Sequence, residues 1–292
     1  MNAKFYAATV FGAIANTDWE GEIKDLGDKI IINNIPSLSI SDYTSGSGLT
    51  YEAPTPDTIE MPIDKAKSFA FQVADVLAYQ SKPELMSVFT DDAGEQMKVA
   101  IDSDVLNGTF DGYATGNGGT ATGGVISGAF DLGTDAAPIA LTTSNILNKI
   151  TALAAVLDEQ NVPESGRWLV IDPATRQLLM ESNLAQADFM GDSSSILRNG
   201  RIGMIDRFTV YVSNQLPTGN ADELWDGTGS GGEADRKAIM AGHRTAISFA
   251  SQMTKVERLP NPNDFGEFCR GLNVYGYLVT KPESLALLTV AA

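Results

Sequence analysis

Between Pro83 and Asn107 the chain carries one uninterrupted helical pattern, and no other feature restricts its possible folds as strongly. Leu85, Val88, Phe89, Ala93, Met97, Ala100 and Ile101 recur at steps of three and four, which places them on one face of a helix. Pro83 suits a first helical turn, and Asn107-Gly108 is a stop signal. A helix over 83–107 would be roughly 37 Å long.

The segments before the helix are extended. Residues 1–28 read as an irregular arm with one apolar patch, Phe5 to Ile14, ordered only if something else holds it. Lys29 to Asn34 (KIIINN) is a short strand signal, followed by the turn-rich stretch SDYTSGSGLTYEAPTPD. Leu49 to Glu52 and Ile59 to Ile63 alternate in character, and Lys67 to Val73 follows. Together they predict a long two-stranded excursion with Gly46, Gly48, Pro54 and Pro56 near its tip or bends. A lone hairpin is marginal in water, so this one should pack on a neighbour or move as a flap.

After the helix, Gly108 to Gly133 suits neither helix nor strand, because its glycines carry a backbone entropy cost and offer few side chains to pack. It reads as a linker or surface loop. An alternating α/β pattern follows: a helix with Ile146, Leu147, Ile150, Leu153 and Leu157, the buried strand Trp168 to Ile171, and a helix opened by Asp172 and Pro173. Phe208 to Ser213 alternates as a strand with two different faces. Thr218 to Glu233 is a Gly/Asp-rich loop. Strand signals resume at Ala238 to Ala241 and Ala246 to Ala250, and continue over Gln252 to Leu259, Gly271 to Thr280 and Leu285 to Val290.

Composition narrows function by exclusion. The 292 residues are 43% hydrophobic and 20% charged, as in a folded protein. A formal net charge of −17 opposes adhesion to phosphate backbones, which depends on clustered Lys and Arg. The start of the chain lacks the marks of a secretory signal, and no apolar run approaches the roughly 18 residues of a membrane helix. These features predict a soluble protein made in the cytoplasm. Cys269 is the only cysteine, which rules out an intrachain disulfide, and it reads as a small apolar filler.

No residue pattern in the chain marks a catalytic, cofactor-binding or metal-binding residue. His243 is the only histidine, and no G-x-S-x-G elbow accompanies it, so a structural role outweighs a catalytic one. Asp91, Asp92 and Glu95, with Asp102 and Asp104 beyond them, offer carboxylates. Their spacing lacks the further ligand and glycine of a calcium loop, and a solvated helix face is the better reading. Gly227 to Gly232 resembles a phosphate loop only superficially, since no Gly-Lys-Ser/Thr closes it. Asn107-Gly108-Thr109 matches a glycosylation sequon by chance.

The order of parts resembles the major capsid proteins of tailed bacteriophages, the Hong Kong 97 fold. Locally, IDKAKSFAFQVADVLAYQSKPELM (63–86) looks like that family's return strand and spine helix, and AGEQMKVAIDSDVLNG (93–108) like the second half of the helix. LDEQNVPESGRWLVIDPATRQLLM (157–180) is similar to the helix, strand and helix of its axial domain, and ILRNGRIGMIDRFTVYVSNQLP (196–217) to the connection and strand that follow.

The resemblance implies an α+β fold with an N-arm at 1–28, an extended E-loop over about 35–72, and a spine helix at 83–107. The E-loop and peripheral domain would span 29–134 and an α/β axial domain 135–250. Residues 251–292 would be C-terminal strands returning to the peripheral domain. It further implies a non-enzymatic subunit that self-assembles as pentamers and hexamers into an icosahedral shell around phage DNA, localised in the virion. A separate scaffolding protein is expected because no long helical scaffolding region precedes the arm; a portal and a decoration protein are further partners. Lys65 and Lys67 lie near the E-loop, but no intersubunit crosslink is assigned to them. The alternative on the same fold is an encapsulin shell that holds cargo enzymes. A hydrolase working through His243 or the acidic cluster is a remote one.

Overall fold

In the computed structural model the described residues are 6–18, 29–34, 36, 38–40, 42, 51–74, 85–119, 129–135, 137–182, 203–219, 236–261 and 266–291. The long helix is present as α2 (Leu85–Thr109). It follows the short turn α1 (Phe11–Ile14) and three strands, β1 (Lys29–Asn34), β2 (Asp57–Pro62) and β3 (Lys65–Ala74). Helices α3 (Ile146–Glu159) and α4 (Pro173–Glu181) flank β4 (Arg167–Ile171). Then come β5 (Met204–Ile205), β6 (Phe208–Val212), β7 (Thr218–Gly219), β8 (Arg236–His243), β9 (Ile247–Pro260), β10 (Gly266–Val279) and β11 (Leu285–Ala291).

Three sheets organise these elements. A six-stranded sheet has the order β11-β8-β4-β6-β5, with β7 paired to β8, and its one parallel pair is β4 with β6. The alternation along its strands divides two cores. Leu169 and Ile171 of β4 join Ile239 and Ala241 of β8 on the face covered by Leu153 and Leu157 of α3. Trp168 and Val170 face the other way, where Met240, Leu285 and Leu287 meet Ile101, Val105 and Leu106 of α2. A three-stranded antiparallel sheet, β3-β10-β9, lies along the same helix. Phe71 of β3 sets its ring edge-on to Phe89 of α2, with centroids 5.9 Å apart. The third sheet is a two-stranded ribbon, β1 with β2.

Several expectations are corrected here. The partner of the 57–62 strand is β1, in the register Ile30 to Met61 and Ile32 to Ile59; of the expected 49–52 flank, Leu49 and Thr50 lie outside the described residues. Tyr51 and Glu52 are outside any strand, and Pro54 and Pro56 just beyond them lack the backbone N–H that a ladder requires. The residues expected at the tip, Gly46 and Gly48, lie outside the described residues, as do Pro83, 183–202 and 220–235.

The N-terminal segment, expected to be ordered only where something else holds it, is held at residues 10–15, which belong to the core of α2. Val10, Ile14 and Ala15 are buried there, and Asn16 bridges to Ser248 at the start of β9. The glycine-rich segment is pinned at both ends. Leu287 N donates to Asn117 O at 3.0 Å and Thr289 N to Leu132 O at 2.9 Å, so 117 and 132 cover the outer edge of β11. Buried Asn117 reinforces this by donating to the carbonyls of Glu283 and Leu285. Residues 120–128 lie outside the described residues.

The C-terminal strands, expected over 251–292 to return to the peripheral domain, divide between two sheets. Strands β9 and β10 do pair beside α2, but β11 re-enters the six-stranded sheet against β8. Its run LALLTV is buried along its whole length, which suits a layer covered on both faces better than a half-exposed sheet.

Candidate functional site

The residues with chemical potential are dispersed, and His243, Asp92, Glu95, Asp102 and Asp104 each have a structural partner. His243 ends β8, where its Nε2 donates to Ser165 O at 2.9 Å and its Nδ1 accepts from the Thr245 hydroxyl at 2.8 Å. Both ring nitrogens are thereby engaged, and burial holds the ring below its ordinary pKa. The ring fastens the β8–β9 turn to the loop before β4.

The acidic residues point in different directions around α2. Asp92 accepts from the Tyr6 hydroxyl at 2.7 Å, and Glu95 pairs with Lys98 on the surface. Asp104 accepts from the Tyr275 hydroxyl at 2.8 Å, with Lys65 at 3.6 Å. Asp102, read from the sequence as part of a solvated face, is fully buried and accepts from two main-chain amides of the N-terminal segment. Among the described residues no three His, Cys, Asp or Glu side chains converge to hold a metal ion, and no helix is long and apolar enough to cross a membrane.

The remaining motifs are also part of the framework or undescribed. Thr109 of the sequon is buried in the last turn of α2, its hydroxyl bonded to Val105 O. Cys269 is buried on β10 with its Sγ 3.9 Å from the Thr90 hydroxyl. Gly227 to Gly232 lies outside the described residues.

What the molecule does present is apolar surface on and beyond the ribbon. At the ribbon's base, Ile30, Met61 and Ile63 pack on Ala250 and Val274, and Gly276 lets the main chain of Pro62 approach β10 closely. Beyond the base this support ends. Ile31 and Leu38 are exposed, Ile40 is 99% exposed and Tyr51 88%. Glu52 accepts from the amide and hydroxyl of Ser39, which ties the 38–40 run to the 51–52 run, and these bonds lower the pKa of Glu52. An exposed apolar group of this kind, held on a narrow support, is the candidate interaction surface among the described residues. The sequence carried its position, in the flanks of the Gly/Pro-rich excursion, but not its partner.

A family model described as phage capsid protein matches residues 57–286. No curated protein sequence matches the chain. The chain is similar to a solved structure from Mycobacterium phage Che8, at 24% identity and a TM-score of 0.73, over 98% of this chain and 93% of that one. It is similar to the capsid structure of cyanophage P-SCSP1u at 18% identity and a TM-score of 0.70, over 100% and 90% of the two chains. The mature capsid of bacteriophage PhiM1 is a third likeness, at 14% identity and a TM-score of 0.68, over 99% and 89%. At these identities the structural likenesses carry the fold, and the matched family model carries the relationship.

Proposed function

The chain belongs to the phage capsid protein family and is a major capsid protein of the Hong Kong 97 fold, and from that premise we propose that its copies close into pentamers and hexamers that tile an icosahedral head shell around DNA. The observation that carries this reading is the exposed apolar group at Leu38, Ile40 and Tyr51, which no other described residue covers. Burying one such side chain is worth about 1.5–3 kcal/mol. A neighbouring subunit gains that by covering the group, and a head-to-tail contact repeated by rotation closes a ring.

In this reading residues 1–28 are the N-arm and about 35–72 the E-loop, which lies over the adjacent subunit. The helix α2 is the spine of a peripheral domain spanning 29–134. The α/β region over 135–250 is the axial domain, whose copies meet at ring centres. The net charge of −17 suits a container that holds DNA without adhering to it. Family likeness supports synthesis in the host cytoplasm and a scaffolding protein, a portal and a decoration protein as further partners.

The test is a double variant, Ile40→Asp with Tyr51→Asp, viewed by electron microscopy with and without a scaffolding partner. The variant should keep the unfolding midpoint of the parent and form no shells. Normal shells from the variant would overturn the reading. The contents of purified parent shells separate a DNA container from a compartment for cargo enzymes.

A further inference from the structure

Asp102 is the most unusual ionisable group among the described residues. It sits in the second half of α2 with no exposed surface. One oxygen, Oδ1, accepts from Val10 N at 2.9 Å and from Phe11 N at 2.8 Å. These are the N-cap and first amides of α1, which have no partner inside their own turn. Asp102 therefore caps α1 from a different element. Its other oxygen, Oδ2, is buried and has no hydrogen-bond partner.

Among the described residues the surroundings supply no counter-charge. Tyr6 of the N-terminal segment is committed to Asp92, and the other ionisable residue of 6–18 is Asp18. On α2 itself Lys98 pairs with Glu95. From β10, Tyr275 donates to Asp104, and the residues of β8, β9 and β11 in this core are Ala238, Met240, Ile247, Phe249, Leu285 and Leu287. No described cation lies within salt-bridge reach of Asp102. An ionised carboxylate here is charged in an apolar core with half its acceptor capacity unused, whereas a neutral carboxyl can still accept both amides through Oδ1.

We propose that Asp102 is a proton-operated latch that clips residues 10–15 to α2 and holds them most tightly when its carboxyl is neutral. The clip closes more than one contact. Undocking the segment removes Val10, Ile14 and Ala15 from the core, separates the Phe11 ring from Phe249, whose centroids are 4.9 Å apart, and breaks the bridge from Asn16 to β9. Burial pushes the Asp102 carboxyl above its ordinary range, against the opposing pull of the two amides. A group whose docked pKa is raised stabilises docking fully below its ordinary value, near 4, and loses that contribution as pH rises through the docked value.

Two measurements on the unassembled full-length chain test the latch. Carbon-13 NMR of the Asp102 carboxyl should give a titration midpoint above the ordinary aspartate range. A midpoint at or below that range, as an ordinary ionised cap would show, overturns the proposal. Hydrogen exchange, corrected for intrinsic rates, should show the protection of the Val10, Phe11 and Ile14 amides rising by about threefold or more between pH 7.5 and pH 4.5. In Asp102→Asn, which keeps the Oδ1 acceptor and cannot ionise, that rise should vanish. Flat protection in the parent, or an equal rise in the variant, is the contrary result. If the variant does not fold, the carboxyl titration of the parent decides alone.

Discussion

At the scale of single residues, the joint between α2 and the three-stranded sheet depends on groups that the sequence scatters. Asp104 gathers them: the Tyr275 hydroxyl donates to its Oδ2, the Tyr277 hydroxyl donates to its carbonyl at 2.9 Å, and Lys65 stands 3.6 Å from Oδ2 and 4.6 Å from the Tyr277 ring centroid. Burial, reinforced by the bond to Asp104, pushes the Tyr275 hydroxyl far above its ordinary pKa, so it remains a donor throughout the working range. Removing that hydroxyl in Tyr275→Phe leaves Oδ2 with Lys65 and some solvent, and should cost about 1 kcal/mol. The neighbouring Gly276 is a stricter position. A Cβ there would lie 2.2 Å from the carbonyl oxygen of Pro62 and 2.8 Å from Ile63 Cδ1, so main chain would have to move. Gly276→Ala should cost about 3 kcal/mol, the upper part of the range for overpacking. Urea unfolding of the two variants compares them directly, and a larger loss for Tyr275→Phe than for Gly276→Ala would contradict this ranking.

At the scale of elements, α4 is the case where sequence and structure meet most closely. Asp172 caps it by accepting from Thr175 N at 3.1 Å, and Pro173 occupies the first turn. Burial acts to raise the Asp172 pKa, but the Thr175 bonds and Lys237 at 3.2 Å outweigh it and the net direction is down. Its stabilisation is therefore present above the ordinary aspartate range near 4 and is lost as pH falls through the lowered value. Asp172→Ala should cost about 1 kcal/mol at pH 7, and the gap between variant and parent should close in acid. A gap that persists undiminished at pH 2 would refute the cap. This cap, the period of α2 and the alternation of β6 were legible because each is a local rule written in adjacent residues. The pairing of β1 with β2 was not, since its two strands are separated by the turn-rich excursion and either of two flanks could have served. Asp102 misled for a related reason. Its helical neighbours look solvated, and only the distant Val10–Ala15 segment buries it. The exposed apolar group at Ile40 and Tyr51 was legible as a tip without a core, while no described residue of the chain covers it.

At the scale of the whole molecule, the two large cores share one sheet, so the proposed division into peripheral and axial regions does not separate them. Along β4, Leu169 and Ile171 belong to the cluster under α3, while Trp168 and Val170 belong to the cluster under α2. Strands β8 and β11 repeat this, with Ile239 and Leu288 on one side and Met240 and Leu287 on the other. Neither cluster can lose its strands without exposing the other, so the unassembled subunit should unfold in one cooperative step, larger than usual for a single two-state unit. Leu153→Ala on α3 and Leu106→Ala on α2 truncate fully buried side chains on opposite faces of that sheet and should each cost about 2–5 kcal/mol. Scanning calorimetry should show each variant moving the whole transition to lower temperature. A transition split into two, with only one part moved by each variant, would mean that the cores are independent. The ribbon stands apart from this unit because its buried anchor is confined to Ile30, Met61, Ile63, Ala250 and Val274. Amides of β1 should therefore exchange through local opening well before those of β4, whose five residues are all buried. Equal protection of the two strands would show that the ribbon is part of the cooperative core. The contrast matters for assembly, because a ribbon that opens while its scaffold stays folded can reach a neighbour without loosening the subunit that carries it.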